Sequence, residues 1–227
     1  MIIADHPATV LAIEVGPRRV HLCTIPELET LVDRDALLRG DVEPPYWAYL
    51  WSGARVLAAY LARWADVRNR RVLEIGCGLG LPGLTAAVCG ADTTLVDAEP
   101  AALAFVAASA AANGVRCTSL VGDFTQLDLD LRFDVVLAAE VAYDRDRFPE
   151  LAAVFRRHLR PDGVAFLADG YRTDTRGLYR AVADLGLDTH ALDLRVLEEG
   201  RPVPVRLTLI RRGSAWVRPP GTWRPPA

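Results

Sequence analysis

Lysine is missing from this chain: all 26 of its basic residues are arginine. No run of about eighteen apolar residues occurs, so no membrane-spanning helix and no membrane partner are expected. Residues 1–15 lack a basic segment followed by an apolar one; a secretory leader is therefore not expected, and the cytoplasm is the expected compartment. Cysteine is sparse: Cys23, Cys77, Cys89 and Cys117 form no C-x-x-C pair and have no histidine at zinc-finger spacing. Reduced thiols, no disulfide and no metal follow as expectations. Nor is there an excess of positive charge, and a formal net charge of -3 argues against bulk nucleic acid as a partner.

What is present is an ordinary globular composition, 51% hydrophobic and 24% charged, in 227 residues, long enough for one sizeable core. Residues 9–15 and 18–24 are β-rich runs parted by Gly16-Pro17 and predict a hairpin. The spacing of Leu28, Leu31 and Val32 predicts a short helix over 26–39, stopped by Gly40. A stiff Glu43-Pro44-Pro45-Tyr46-Trp47 connection leads into 51–64, where Val56, Leu57, Tyr60, Leu61 and Trp64 make a helical stripe. Thereafter strands (71–75, 93–96, 116–121, 133–139, 164–168) alternate with helices (82–89, 100–112, 147–158, 175–185). Pro161-Asp162-Gly163 predicts a turn before the last of those strands, and 187–197 with 203–210 predict an antiparallel hairpin.

Alternation of this kind predicts an α/β fold: a doubly wound, Rossmann-like sheet of seven strands, mostly parallel, with an antiparallel terminal hairpin. The expected organisation is an N-terminal hairpin and helix over 1–46, the main domain over 47–211, and a Pro/Arg-rich extended tail over 212–227.

The most informative segment is Val72-Leu73-Glu74-Ile75-Gly76-Cys77-Gly78-Leu79-Gly80, a strand entering a loop of alternating glycines before a helix. Such a loop lets the backbone approach a nucleotide closely, so Gly76, Cys77, Gly78 and Gly80 are candidate cofactor contacts. The dinucleotide fingerprint G-x-G-x-x-G fails, because Leu81 stands where its third glycine belongs. Glu74, ahead of the first glycine, would repel a pyrophosphate and suits a cationic ligand. S-adenosyl-L-methionine (SAM) carries a sulfonium and an ammonium and no phosphate. Asp97 ends the second strand, where a carboxylate accepts hydrogen bonds from both hydroxyls of a ribose; the other reading is a helix cap before Pro100. Asp123, between Gly122 and Phe124, is placed to meet an adenine amino group, or else serves a local turn.

The fourth strand of the alternating region runs into Glu140-Val141-Ala142-Tyr143. Ligands of doubly wound sheets sit beyond the carboxyl ends of central strands, so a carboxylate and a phenol arrive beside the expected sulfonium. Many amide- and base-directed methyltransferases carry Asn-Pro-Pro-Tyr here; an anion with a phenol better suits an amine that arrives as a cation. Glu140 and Tyr143 are the candidate catalytic pair, orienting the amine with no dedicated general base. The competing reading has Tyr143 packed on the following helix and Glu140 capping it.

With these residues the chain resembles the seven-strand, class I SAM-dependent methyltransferases that modify protein lysines, and within them the electron-transfer-flavoprotein β-subunit lysine methyltransferase family. The resemblance runs through Ile25-Pro26-Glu27, Pro45-Tyr46-Trp47-Ala48, Leu50-Trp51, Gly53, the glycine loop, Glu140-x-x-Tyr143-Asp144, and Asp169-Gly170 with Arg172. Two departures are Glu140, where that family usually has Asp, and Asp169-Gly170-Tyr171-Arg172, where it tends to read Asp-Pro-Gly-Arg. The resemblance implies SAM as cofactor, Trp51 stacked near it, and Glu74, Gly76, Asp97 and Glu140 lining its site. It also implies an acceptor pocket of Tyr46, Trp47, Tyr143, Asp169 and Arg172. Its activity would be N-methylation of a lysine side chain in a protein partner, a modification that this lysine-free chain cannot suffer itself. A small-molecule amine or pyridine base as acceptor, a SAM-binding interaction module without catalysis, and a nicotinamide dehydrogenase are the other readings.

Overall fold

The structure is a computed structural model describing residues 1–28, 39–41, 43–64, 66–198 and 200–213. Most of the helix expected over 26–39, and nearly all of the expected tail over 212–227, lie outside those residues.

The chain opens with two short strands, β1 (Ile2–Ile3) and β2 (His6–Pro7), then the hairpin β3 (Thr9–Val15) and β4 (Arg18–Thr24). A single 3-10 turn at Tyr46–Ala48 precedes α1 (Ser52–Trp64). The alternating region follows as β5 (Arg71–Ile75), α2 (Leu81–Val88), β6 (Asp92–Asp97), α3 (Pro100–Ala112), β7 (Thr118–Val121) and β8 (Phe133–Ala139). It closes with α4 (Phe148–His158), β9 (Leu159–Gly170), α5 (Arg176–Asp184), β10 (Leu187–Glu198) and β11 (Arg201–Arg212).

β5 to β11 form one seven-stranded sheet in the order β10-β11-β9-β8-β5-β6-β7. The pairs β7·β6, β6·β5, β5·β8 and β8·β9 are parallel, whereas β11 runs antiparallel to both β9 and β10. This is the doubly wound α/β sheet with its terminal hairpin. Winding proceeds outward from β5 through β6 to β7, then restarts on the other side with β8. The reversal falls between β5 and β8, so a crevice opens beyond their carboxyl ends.

Side-chain alternation divides the core. On β5, Leu73 and Ile75 join Val136, Phe155 and Leu178 under α4 and α5, while Val72 joins Leu57, Leu61 and Phe166 under α1. Glu74 shares the face of Val72, since strand side chains repeat every second residue. The N-terminal hairpin packs on α3 through Val20, Leu22 and Phe105. The outer backbone edge of β4 is satisfied by that helix: Asn113 accepts from His21 N at 2.8 Å and donates to His21 O at 2.6 Å, and Ser109 Oγ accepts from Cys23 N at 2.8 Å. Pro100 starts α3 and the left-handed Gly114 follows its end, as the sequence predicts.

Pro161-Asp162-Gly163 does not form a separate turn; it lies within β9. Opposite Phe133 stands Leu159, yet opposite Val135 stands Val164, so the extra residues are accommodated as a bulge against β8. The expected turn is thus not found as such: Leu159 and Val164, on either side of it, both pair with β8 and keep the segment within one strand.

Candidate active site

Beyond the carboxyl ends of β5 and β8 lies a cavity of about 490 Å³, the size range of small-molecule sites. Its walls include Tyr46, Trp47, Trp51, Gly76, Cys77, Gly78, Gly80, Asp97, Asp123, Glu140 and Tyr143. Eleven of the fourteen residues singled out in the sequence therefore meet in one place. Glu74, Asp169 and Arg172 do not line it.

The floor is backbone. Gly78 has φ +51°, and a Cβ there would stand 2.8 Å from the carbonyl oxygen of Trp47, so only glycine lets the 46–48 turn close over the loop. Cys77 N donates to Val96 O at 3.0 Å, and Gly78 N donates to Asp97 Oδ2 at 2.7 Å. Asp97 Oδ1 accepts from Glu99 N at 3.0 Å. Asp97 is thus both a brace for the glycine loop and a carboxylate on the cavity wall, and burial raises its pKa. Asp97 does not cap α3, whose N-cap is Glu99 with no side-chain hydrogen bond; it turns the chain through the Glu99 amide and keeps carboxylate lone pairs that a ribose could use.

Glu74 departs from expectation. It is 1% exposed and accepts from Gly83 N in α2 at 2.8 Å. Its parity on β5 turns it beneath the helix, not toward the crevice, so it does not line the cavity. Burial pushes its carboxyl up to about 8, and nearby Asp97 adds to the shift against the opposing Gly83 hydrogen bond.

Asp123 and Phe124 form the third side, at the end of β7. Asp123 Oδ1 accepts from Thr125 N at 2.9 Å and from Thr125 Oγ1 at 2.8 Å, while Oδ2 is paired with Arg147. Against the effect of burial, these hydrogen bonds hold its pKa below the ordinary value. Arg147 also lies over the Phe124 ring, 6.0 Å from its centroid, and lines the cavity. Sequence reasoning missed Arg147, because its partner is on another element and no spacing connects the two. It missed Glu99 as well, which only its position two residues after Asp97 could have suggested.

The opposite wall is assembled around Glu140. This residue has φ +59°, in the left-handed region, an uncommon conformation for a non-glycine that concentrates at functional sites. Its Oε1 accepts from Gly53 N and Gly170 N, both at 3.1 Å. Its Oε2 accepts from Gly170 N at 3.1 Å and from Arg172 Nη2 at 2.7 Å. A Cβ on Gly53 would lie 2.7 Å from Glu140 Oε1 and 2.8 Å from Ala168 O, which explains the glycine in α1. Glu140 lines the cavity, but its carboxylate is already filled with donors. Expected as a direct partner of an amine, it instead joins α1, the end of β9 and the loop after it.

Asp169 and Arg172 were expected at the acceptor pocket, and the structure uses them behind it. Asp169 is buried, and its pKa is raised to about 7 by burial and by the neighbouring Glu140 charge, against a hydrogen bond from the Ala142 amide. Arg172 pairs with Glu140 and lies over Trp51, 4.2 Å from the ring centroid. Trp51 in turn donates through Nε1 to Tyr46 O at 3.0 Å and packs near Tyr49, with ring centroids 5.4 Å apart. Trp47 packs inward on Phe105. At the mouth, Tyr46 is 55% and Tyr143 66% exposed.

The residues fit SAM. Among the described residues the cavity walls carry the carboxylates Glu43, Asp97, Glu99, Asp123 and Glu140, and one cation, Arg147, committed to Asp123. That set of acceptors suits a cationic nucleoside better than a pyrophosphate.

A methyltransferase-domain family model matches residues 72–163. The chain is similar to the protein N-lysine methyltransferase METTL21A of Danio rerio, 34% identical over 130 residues that are 53% of this chain and 59% of that protein. It is similar to the EEF1A lysine methyltransferase 3 of Mus musculus, 31% identical over 133 residues, 56% of this chain and 57% of that protein. The matches thus span little more than half the length of these curated relatives. Among solved structures, the T. thermophilus 16S rRNA methyltransferase RsmC, in complex with AdoMet and guanosine, aligns with a TM-score of 0.61 at 19% identity, over 91% of this chain and 51% of that one. At such identity the likeness concerns the fold.

Proposed function

We propose, for a chain that carries a class I methyltransferase domain with SAM as its methyl donor, that it is an enzyme methylating the side-chain nitrogen of a lysine in a protein. The observation that carries this reading is the charge of the cavity walls, acidic beyond what Arg147 neutralises, together with a mouth of exposed tyrosines. The names of the relatives METTL21A and EEF1A lysine methyltransferase 3 support lysine as the acceptor.

When bound, SAM supplies an electrophilic methyl group on its sulfonium. The chain's own part is positioning and exclusion of water. In this reading the backbone of Gly76 to Gly80 seats the cofactor, Asp97 accepts from its ribose hydroxyls, and Asp123 with Phe124 borders its base. Trp51 walls the centre. Tyr46, Trp47 and Tyr143 guide the acceptor nitrogen toward the methyl. Burial raises the Tyr143 pKa, so its phenol stays protonated at neutral pH and its oxygen can accept from the amine. A lysine amine of pKa about 10.4 is neutral in only about one molecule in 2,500 at pH 7, a cost of about 4.6 kcal/mol. Desolvation beside a sulfonium lowers that pKa, so no dedicated base is assigned. No helix among the described residues is long and apolar enough to cross a membrane, and we place the activity in the cytoplasm.

The test is incubation of the purified chain with methyl-labelled SAM and cell lysate. Labelled protein bands whose hydrolysate contains methyl-lysine are expected. Label confined to the low-mass fraction would move the acceptor to a small-molecule amine or pyridine base. No transfer, with SAM still bound, would leave an interaction module.

A further inference from the structure

Arg172 touches two walls of the cavity without lining it. Its guanidinium lies over the Trp51 indole, 4.2 Å from the ring centroid, and its Nη2 reaches Glu140 Oε2 at 2.7 Å. The arm is fixed at its root, since Arg172 N donates to Gly170 O at 2.8 Å while Gly170 N donates to both Glu140 oxygens at 3.1 Å. Glu140 also holds the backbone two residues beyond Trp51, through Gly53 N at 3.1 Å. The circuit Gly170–Glu140–Arg172 therefore closes on the indole from its side chain and from its backbone.

The two partners are unequal in exposure. The Glu140 side chain is 6% exposed and that of Arg172 is 51% exposed. An ion pair alone between a buried acid and a half-exposed base would be served as well by lysine. Only a planar guanidinium can pair edgewise with the carboxylate and lie flat on an aromatic ring at once.

We infer that Arg172 is a positioning residue for Trp51, holding the indole at the cavity wall against bound cofactor through simultaneous stacking and pairing with Glu140. This rests on the cavity being the SAM site. Arg172 acts through the indole and reaches neither the methyl nor the acceptor.

The experiment is a double-mutant cycle on affinity for S-adenosylhomocysteine, the demethylated cofactor, measured by calorimetry on the full chain. Arg172→Ala is expected to weaken binding about five- to tenfold, on the order of a well-ordered cation–π contact. Trp51→Ala is expected to weaken it at least as much, and the double variant no further, because Arg172 does not line the cavity and Glu140 stays anchored by the Gly53 and Gly170 amides without it. Arg172→Lys keeps the charge and folds where alanine strands Glu140; it should lose about threefold in the wild-type background and nothing in the Trp51→Ala background. Strictly additive losses, or wild-type affinity in both Arg172 variants, would overturn the inference. Failure of the wild type itself to bind would instead overturn the assignment of the cavity to SAM.

Discussion

The two ends of the cavity are built from different materials. At the cofactor end, the loop from Gly76 to Gly80 is shaped by backbone conformation and braced by one nearby carboxylate, Asp97, which accepts from Gly78 N at 2.7 Å. At the proposed acceptor end, the wall is made of residues from two distant stretches, 46–51 and 140–143, and Glu140 ties it to Gly53 in α1 and to Gly170 and Arg172 behind it. The proposed cofactor end is local, buried and backbone-made. The acceptor end is long-range and partly exposed, and there a chain can change its substrate without disturbing the fold.

The sharpest way to break that contrast is Asp97→Ala. The substitution removes the proposed ribose acceptor and unties the Gly78 and Glu99 amides. Affinity for S-adenosylhomocysteine should fall about a hundredfold, roughly 2.7 kcal/mol, within the 1.5–3 kcal/mol range of a lost hydrogen bond to a charged group. Calorimetry gives the value directly, and the ligand-induced rise in melting temperature should vanish with it. If affinity fell less than about threefold, the cofactor end would not depend on this carboxylate, and the division of labour between the two ends would fail.

The same contrast explains what could be read in the sequence. The strand–glycine–helix junction, Asp97 and the order of strands and helices are local patterns, and each was legible. So was the approach of Glu140 and Tyr143, because the doubly wound winding rule brings the end of β8 beside the end of β5. Glu74 was read as a ligand contact, yet it does not line the cavity; counting from Val72, its parity on β5 turns it under α2. Arg147 and Arg172 acquire their partners only in three dimensions, from Asp123 and Glu140 on other elements. Pro161-Asp162-Gly163 carries turn chemistry, yet Leu159 before it and Val164 after it both pair with β8, so it bulges within a strand.

A smaller effect should separate the ends from the acceptor side. Tyr143 is exposed at the mouth, and the Thr173 hydroxyl reaches its backbone oxygen at 3.5 Å, a contact the phenol does not make. Tyr143→Phe keeps the ring and removes only the hydroxyl. Turnover on the proposed lysine acceptor should drop about tenfold, while affinity for S-adenosylhomocysteine stays within about twofold of wild type, the split expected when an interaction with the acceptor is lost. Equal losses in turnover and in cofactor affinity would mean that the phenol belongs to the cofactor end.

The mildest change tests whether Glu74 braces the fold or binds the ligand. Its carboxyl stands at about 8 in the folded chain against an ordinary 4.5, chiefly through burial. The folded state therefore holds a proton that the unfolded chain releases. The stabilisation is complete below about pH 4.5 and is lost as pH rises toward 8. Glu74→Gln supplies a neutral oxygen for Gly83 N at every pH. The melting temperature of the wild type should accordingly decline relative to the glutamine variant between pH 5 and pH 8, by about ten degrees in a chain of this size. Asp169, raised to about 7, declines with the same sign in both proteins and cancels in the difference. Cofactor affinity of the glutamine variant at pH 6 should match the wild type, because the native group is already uncharged there. A loss approaching that of Asp97→Ala at this pH would show that Glu74 contacts the ligand, and that the cofactor end recruits charge from beneath its helix as well as from its rim.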